Sequence, residues 1–167
     1  VHNSIRVGGD KMDNDIISYL RKKNNLHVGL QTAEKIKMTI GSAYPLKEEL
    51  TMDVRGRDIV SGFPVTIKIS SEEVREALSE TIATMVDAIK RLFERTAPEL
   101  SADIAERGIF LTGGGAMLKG LDEKISKTVD LPVYVVPDAL ECVVKGAGKV
   151  LDELDRYRDV LIKRIED

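Results

Sequence analysis

Apolar side chains recur along this chain at two periods, and the switches between them mark out its elements. At the start, His2-Asn3-Ser4-Ile5-Arg6-Val7 alternates polar and apolar, which predicts a strand, and Gly8-Gly9-Asp10 breaks it. A helix follows, capped by Asp13 or Asn14 and carrying Ile16, Ile17 and Leu20 to a stop at Lys22-Lys23-Asn24-Asn25. A second, short amphipathic helix is predicted over residues 32–40, with Ala33, Ile36 and Ile40 on one face and Gly41 near its end. Over residues 49–70 the period falls to two, with Leu50, Met52 and Val54 in one arm and Val65, Ile67 and Ile69 in the other. Ser61-Gly62-Phe63-Pro64 supplies the reversal of an antiparallel hairpin.

The period then returns to that of a helix. Ser70 or Ser71 caps it, Glu72 and Glu73 occupy its electropositive first turn, and Val74, Leu78, Ile82, Met85, Ile89 and Leu92 form one stripe, with Pro98 as the terminator. The last third alternates: a strand at Ile109-Phe110-Leu111-Thr112, a triple glycine, a helix over 118–128, a strand at Pro132-Val133-Tyr134-Val135-Val136, and a further long helix. Short apolar strands with a helix between them predict a parallel pair. Val150, Leu154, Tyr157, Leu161 and Ile165 share one stripe of the terminal segment, an apolar face that promotes association. The pattern predicts an α/β lobe interrupted by a small helix-and-hairpin insertion. A domain seldom opens on a strand with nothing to pair with, so the sequence reads as a piece of a longer protein.

Composition narrows the function more than the fold. Hydrophobic residues make up 43% of the 167, enough for a real core. Charged residues make up 32% but nearly cancel, at a net charge of -3, so there is no basic field to hold nucleic acid. Cys142 is the single cysteine, which excludes an internal disulfide and fits a reducing compartment; it reads as a small buried hydrophobe. No apolar run approaches the ~18 residues that span a bilayer.

The sharpest chemical feature is Leu111-Thr112-Gly113-Gly114-Gly115-Ala116-Met117-Leu118-Lys119-Gly120, three residues without a Cβ where a strand hands over to a helix. Backbone there can approach a ligand closely, with amides facing a phosphate or ribose; the same glycines also suit a tight turn packed on its own sheet. Rival glycine motifs fail. A dinucleotide fingerprint opening at Gly113 needs glycine where Leu118 stands, and a P-loop opening at Gly115 needs lysine where Leu121 stands. Glu34 and Lys37, three apart in Thr32-Ala33-Glu34-Lys35-Ile36-Lys37-Met38, share a helix face on which a carboxylate could accept from ribose hydroxyls and an ammonium could hold a purine or phosphate. On spacing alone they read as an ordinary surface ion pair. The acidic turn at residues 8–15 fails as an EF-hand, because Asp15 stands where the loop needs glycine. No catalytic set is visible: His2 and His27 offer Cys142 no persuasive partner, and Arg55-Gly56-Arg57-Asp58 reads as a solvated strand end.

Taken in order, GGDKMDNDI, TAEKIK, DVRGRDIVSGFPVTIKIS, GIFLTGGGAMLKGL and LPVYVVPDALECVVKGAGKVL resemble the second half of the MreB family, bacterial actins that guide rod-shaped wall growth. The resemblance covers essentially the whole chain. It implies an actin-like, ribonuclease H-like α/β fold, with a core lobe from residues 1–27 and 71–150, an inserted outer lobe at 28–70, and an amphipathic helix at 151–167. It implies that Gly113, Gly114 and Gly115 line the adenosine and α-phosphate side of an ATP or ADP site, that Glu34, Lys37 and Met38 border ribose and base, and that Gly9 and Asp10 lie near the cleft. It also implies Mg²⁺ in the intact protein, and weak nucleotide binding with poor or no hydrolysis here, because the family's phosphate loops and metal-positioning acids precede this half. The partners it implies are further copies in a filament and the membrane proteins of cell-wall elongation, in a cytoplasmic location with only peripheral contact to the inner membrane. Two other readings stay open: an interaction module that binds no nucleotide, and half of a related ATPase such as a DnaK-type chaperone or a sugar kinase.

Overall fold

The computed structural model describes residues 1–158 and 161. Helix α1 (Gly9–Asn24) leads into a two-residue strand β1 (Leu26–His27), helix α2 (Leu30–Ile40) and a hairpin of β2 (Thr51–Asp58) and β3 (Pro64–Ser70). The long helix α3 (Ser71–Glu94) and helix α4 (Pro98–Arg107) follow. Strand β4 (Ile109–Leu111), a single 3-10 turn (Gly114–Met117), α5 (Leu121–Val129), β5 (Val133–Val135), α6 (Cys142–Asp152) and α7 (Leu154–Tyr157) complete the described chain. β1, β2 and β3 make one antiparallel sheet in that order, while β4 and β5 pair in parallel, Ile109 with Val133 through Leu111 with Val135.

The parts that formed as expected are those whose local signals agree. In α3, Ser70 accepts from the Glu73 amide while the Glu73 side chain accepts from the Ser70 amide, a reciprocal cap worth about 1 kcal/mol. Its buried stripe of Val74, Leu78, Ile82 and Val86 packs against α1 and α2. These residues belong to one continuous core that also takes Met12, Ile16 and Leu20 from α1, Ile36 and Ile40 from α2, Val54 and Ile69 from the hairpin, and Leu121 and Ile125 from α5. α1 runs antiparallel to α3. Tyr19 Oη donates to Glu76 Oε2 at 2.7 Å and Asn24 meets Glu73 at one end, while Thr81 donates to Asp15 further along.

Several expectations are corrected. Residues 1–7 form no strand, since an extended segment becomes one only by pairing and no strand lies alongside it among the described residues. α1 starts at Gly9 with Gly8 as its cap, so Asp13 and Asn14 are interior; Asp13 is buried and Asn14 Nδ2 donates to the Asp10 carbonyl at 2.7 Å. α2 begins two residues earlier than read, after Gly29. Pro98 does not stop α3, which ends at Glu94, but opens α4 as its first residue, where a missing N–H and a fixed φ cost nothing. The helix after the triple glycine starts at Leu121, because Gly120 sits at φ +69° and breaks it from the 3-10 turn. Cys142 is half-buried at the start of α6 instead of buried. The terminal helix is also divided: α6 ends at Asp152, and Glu153 (φ -121°, ψ 44°) separates it from the one-turn α7. Leu154 and Leu161 are exposed, and Ile165 lies outside the described residues.

Three carboxylates tie elements together and are held below their ordinary range. Glu49 is lowered first by Arg75 and then by Ser71; Asp58 by the Ser61 amide and hydroxyl; Glu76 by Tyr19 and then Lys23. Partial burial, followed by the bond to Glu76, pushes the Tyr19 phenol up, so it stays neutral. Depressed carboxylates stabilise the fold above their unfolded pKa values of 4.5 and 3.8, and that contribution is lost as pH falls through the lower folded values. Urea midpoints measured from pH 7 to pH 3 should therefore decline below about pH 4.5, and Glu49→Gln should flatten part of the decline.

Candidate functional site

Strand β4 delivers the chain to Gly113, whose φ of +83° favours glycine. Its amide donates to the Ala139 carbonyl at 2.7 Å, and its carbonyl accepts from Ala116 at 3.1 Å to start the 3-10 turn. A Cβ placed on Gly113 or Gly115 would meet nothing within 4 Å, and one on Gly114 would reach only Leu140 Cδ1 at 3.4 Å. The packed-turn reading thus accounts for the backbone of Gly113 but not for Gly115, where a side chain would meet nothing, and only loosely for Gly114 beside Leu140. Among the described residues the amides of Gly114 and Gly115 have no backbone acceptor, so both can serve an outside oxygen.

Lys119 joins this turn to the inserted segment. Its Nζ donates to the carbonyls of Thr39 at 2.8 Å and Met38 at 3.2 Å, an ammonium at the C-terminal end of α2, where the helix dipole favours a cation. Its own carbonyl accepts from the Ala43 amide at 2.8 Å, and Ser42 bridges to it in parallel. Gly120 then passes so close to Tyr44 that a Cβ would stand 2.9 Å from Tyr44 Cβ. Arg75 of α3 anchors the same stretch, donating to Ser42 Oγ at 2.9 Å, the Tyr44 carbonyl at 3.1 Å and Glu49 Oε1 at 2.7 Å.

On α2, Glu34 and Met38 lie one turn apart on the exposed face, Met38 65% exposed. The surface pair read between Glu34 and Lys37 does not form. Lys37 turns inward to α1, with its Nζ 2.9 Å from Asp13 Oδ1, donating to Oδ2 at 3.0 Å and to the Gly9 carbonyl at 3.3 Å. The buried carboxylate outcompetes an exposed one because little water screens it. Gly9 touches Lys37 directly, and a Cβ there would stand 3.2 Å from its Nζ. Asp10 and Glu34 are exposed, and among the described residues neither side chain has an ion pair or hydrogen bond.

The sequence reading passed over Asp13, Lys119 and Gly120. Asp13 carried a signal, since it shares a face with Gly9, Ile16 and Leu20, where capping is impossible. Lys119 carried none. Two hollows are mainly apolar: one of about 380 Å³ is lined by Leu92, Leu100, Ile104 and Phe110, with Asp103 and Arg107 beside them, and another of about 350 Å³ by Ile5, Val7, Met85 and Ile89 beside Thr112 and Gly115. Among the described residues no cluster of three metal-ligating side chains occurs, and no helix is long and apolar enough to cross a membrane. Gly56 of the Arg55–Asp58 stretch is an internal necessity, as a Cβ would lie 2.7 Å from the His27 carbonyl.

A glycine turn clamped by a lysine to the end of a helix bearing an exposed acid is a specific arrangement, and the family model described as MreB/Mbl protein matches residues 1–159. The chain belongs to the MreB/Mbl family. Cell shape-determining protein Mbl of Bacillus subtilis (strain 168) is 44% identical over 154 residues, 92% of this chain and 46% of that protein. Cell shape-determining protein MreB of Escherichia coli (strain K12) is 43% identical over 155 residues, 93% of this chain and 45% of that protein. The crystal structure of MreB5 of Spiroplasma citri bound to AMPPNP superposes with a TM-score of 0.87 at 38% identity, covering 94% of this chain and 47% of that one. The fold is therefore actin-like, and the chain spans about half the length of the MreB and Mbl proteins it matches.

Proposed function

We propose that this chain supplies one wall of the adenine-nucleotide pocket of an MreB-type filament protein that directs cell shape. The observation that carries the reading is the pair of amides at Gly114 and Gly115 without a backbone acceptor, in a turn that Lys119 holds to the end of the helix exposing Glu34 and Met38. The amides suit the α-phosphate and adenosine side, Glu34 suits the ribose hydroxyls and Met38 an apolar base face, with Gly9 and Asp10 at the rim. The AMPPNP bound by MreB5 supports ATP or ADP as the ligand class. Mg²⁺ in the intact pocket belongs to the same proposal. The division into a core lobe (1–27 and 71–150) and an outer lobe (28–70) belongs to the same proposal. So do assembly with further copies, contact with membrane proteins of wall elongation, and a cytoplasmic place at the inner membrane. Exposed Val60 and Phe63 at the hairpin tip and Val143 and Val144 on α6 support association with other proteins.

Calorimetric titration of ATP into this chain, and into the chain joined to the amino-terminal half of a relative, tests the reading. The joined protein should bind, and Gly115→Val should weaken binding by at least about tenfold, roughly 1.4 kcal/mol, with an unchanged melting temperature. If the joined protein bound no ATP, the interaction-module reading would replace this one.

A further inference from the structure

The ion pair of Lys37 with Asp13 joins two segments that sequence assigns to different lobes, and it is built unlike the surface pairs elsewhere in the chain. The side chains are 15% and 9% exposed, whereas those of Lys23 with Glu76 are 60% and 59% exposed. Burying two charges is unfavourable unless geometry and further hydrogen bonds compensate, and here the Gly9 carbonyl provides the further bond. A lysine has three N–H donors on a flexible stem. With one donor on Asp13 Oδ2, one on Gly9, and the buried Asp13 Oδ1 only 2.9 Å from the same nitrogen, the stem is fixed.

We infer that Asp13 is a positioning residue for the nucleotide wall: it fixes the Lys37 ammonium, and with it the angle of α2 to α1, so that the Glu34–Met38 face meets a ligand already in place. The inference rests on the nucleotide reading above. Its logic is pre-organisation, in which ordering a long side chain before binding removes that cost from the binding step. Asp13 itself, buried in α1, touches no ligand. Its effect runs through Lys37 alone, and that separates it from a residue that merely stabilises the fold.

Two measurements decide the matter. With ¹⁵N-labelled lysine and no ligand, NMR should show a slowly exchanging ammonium signal that disappears in both Lys37→Met and Asp13→Asn. A Lys37 signal exchanging as fast as those of exposed lysines, or surviving Asp13→Asn, overturns the inference. In ADP titrations of the chain joined to the amino-terminal half of a relative, Asp13→Asn should weaken binding about tenfold, and the double variant Asp13→Asn/Lys37→Met should bind no more weakly than Lys37→Met alone. Additive losses would show Asp13 acting independently and also overturn it. If the joined protein with Asp13 and Lys37 intact binds no ADP, the nucleotide reading falls and the positioning of a ligand falls with it, while the ammonium signal still decides whether Asp13 fixes Lys37. Should Asp13→Asn fail to fold, Asp13→Glu keeps the charge on a longer arm, and an unshifted ammonium signal with undiminished binding would count equally against the inference.

Discussion

Truncating Leu78 to alanine should lower the free energy of unfolding by about 3 to 5 kcal/mol, the upper part of the range for buried leucines. Leu78 is 0% exposed and lies about a third of the way along α3, the helix that packs on α1, α2 and α5, so no neighbour is free to collapse into the space left. For a chain of this size each kcal/mol moves the melting temperature by roughly 2 to 4 °C, so a fall of roughly 6 to 20 °C is expected. The shape of the transition matters as much as its midpoint. Core residues from the expected outer lobe, Ile36, Ile40, Val54 and Ile69, belong to the same continuous cluster as Leu78. Urea unfolding followed by amide exchange should therefore show one transition, with α2 and the hairpin losing protection together with α1 and α3. Two separated transitions would mean that residues 28–70 fold as an independent unit.

The same cluster explains which parts of the molecule could be read from sequence. α3 was legible because every local signal agreed: a serine cap, acids in the first turn and an unbroken apolar stripe from Val74 to Leu92. The hairpin was legible because alternation and Ser61-Gly62 pointed the same way, and the parallel pair because two short apolar strands flank a helix. Residues 1–7 alternate just as well, yet alternation records only that a strand could form, and pairing decides. Asp13 looked like a cap because aspartate usually is one; a tertiary partner, Lys37, made it a core residue. Within the candidate site, the triple glycine and the exposed face of α2 were visible in the chain. Their connection was not, since Lys119 reaches carbonyls about 80 positions away and a backbone acceptor leaves no mark on composition.

Four glycines near that connection predict opposite results, although sequence makes them look alike. Gly120→Ala should cost about 2 to 5 kcal/mol, summing about 1 to 2 for an L-residue in the left-handed region and about 1 to 3 for overpacking. The φ of +69° forbids easy relief by the backbone, and the added Cβ would stand 2.9 Å from Tyr44 Cβ and 3.3 Å from the Tyr44 amide nitrogen, neither of which is a flexible side-chain end. The strain would be released by parting residues 119–120 from 42–44, so the Ala43 amide, bonded to Lys119 at 2.8 Å, should lose exchange protection first. Gly115→Ala should change stability by less than about 0.5 kcal/mol, because its Cβ would enter open space without a positive φ. Gly114→Ala should behave nearly as mildly, and Gly113→Ala should cost only the strain of its φ of +83°. Denaturation midpoints of the four variants measured together therefore separate the glycine that holds the wall to α2 from those that keep its surface bare. A Gly120→Ala protein as stable as Gly115→Ala would show that the turn and α2 are not mechanically joined, and the wall built on Lys119 would have no fixed shape.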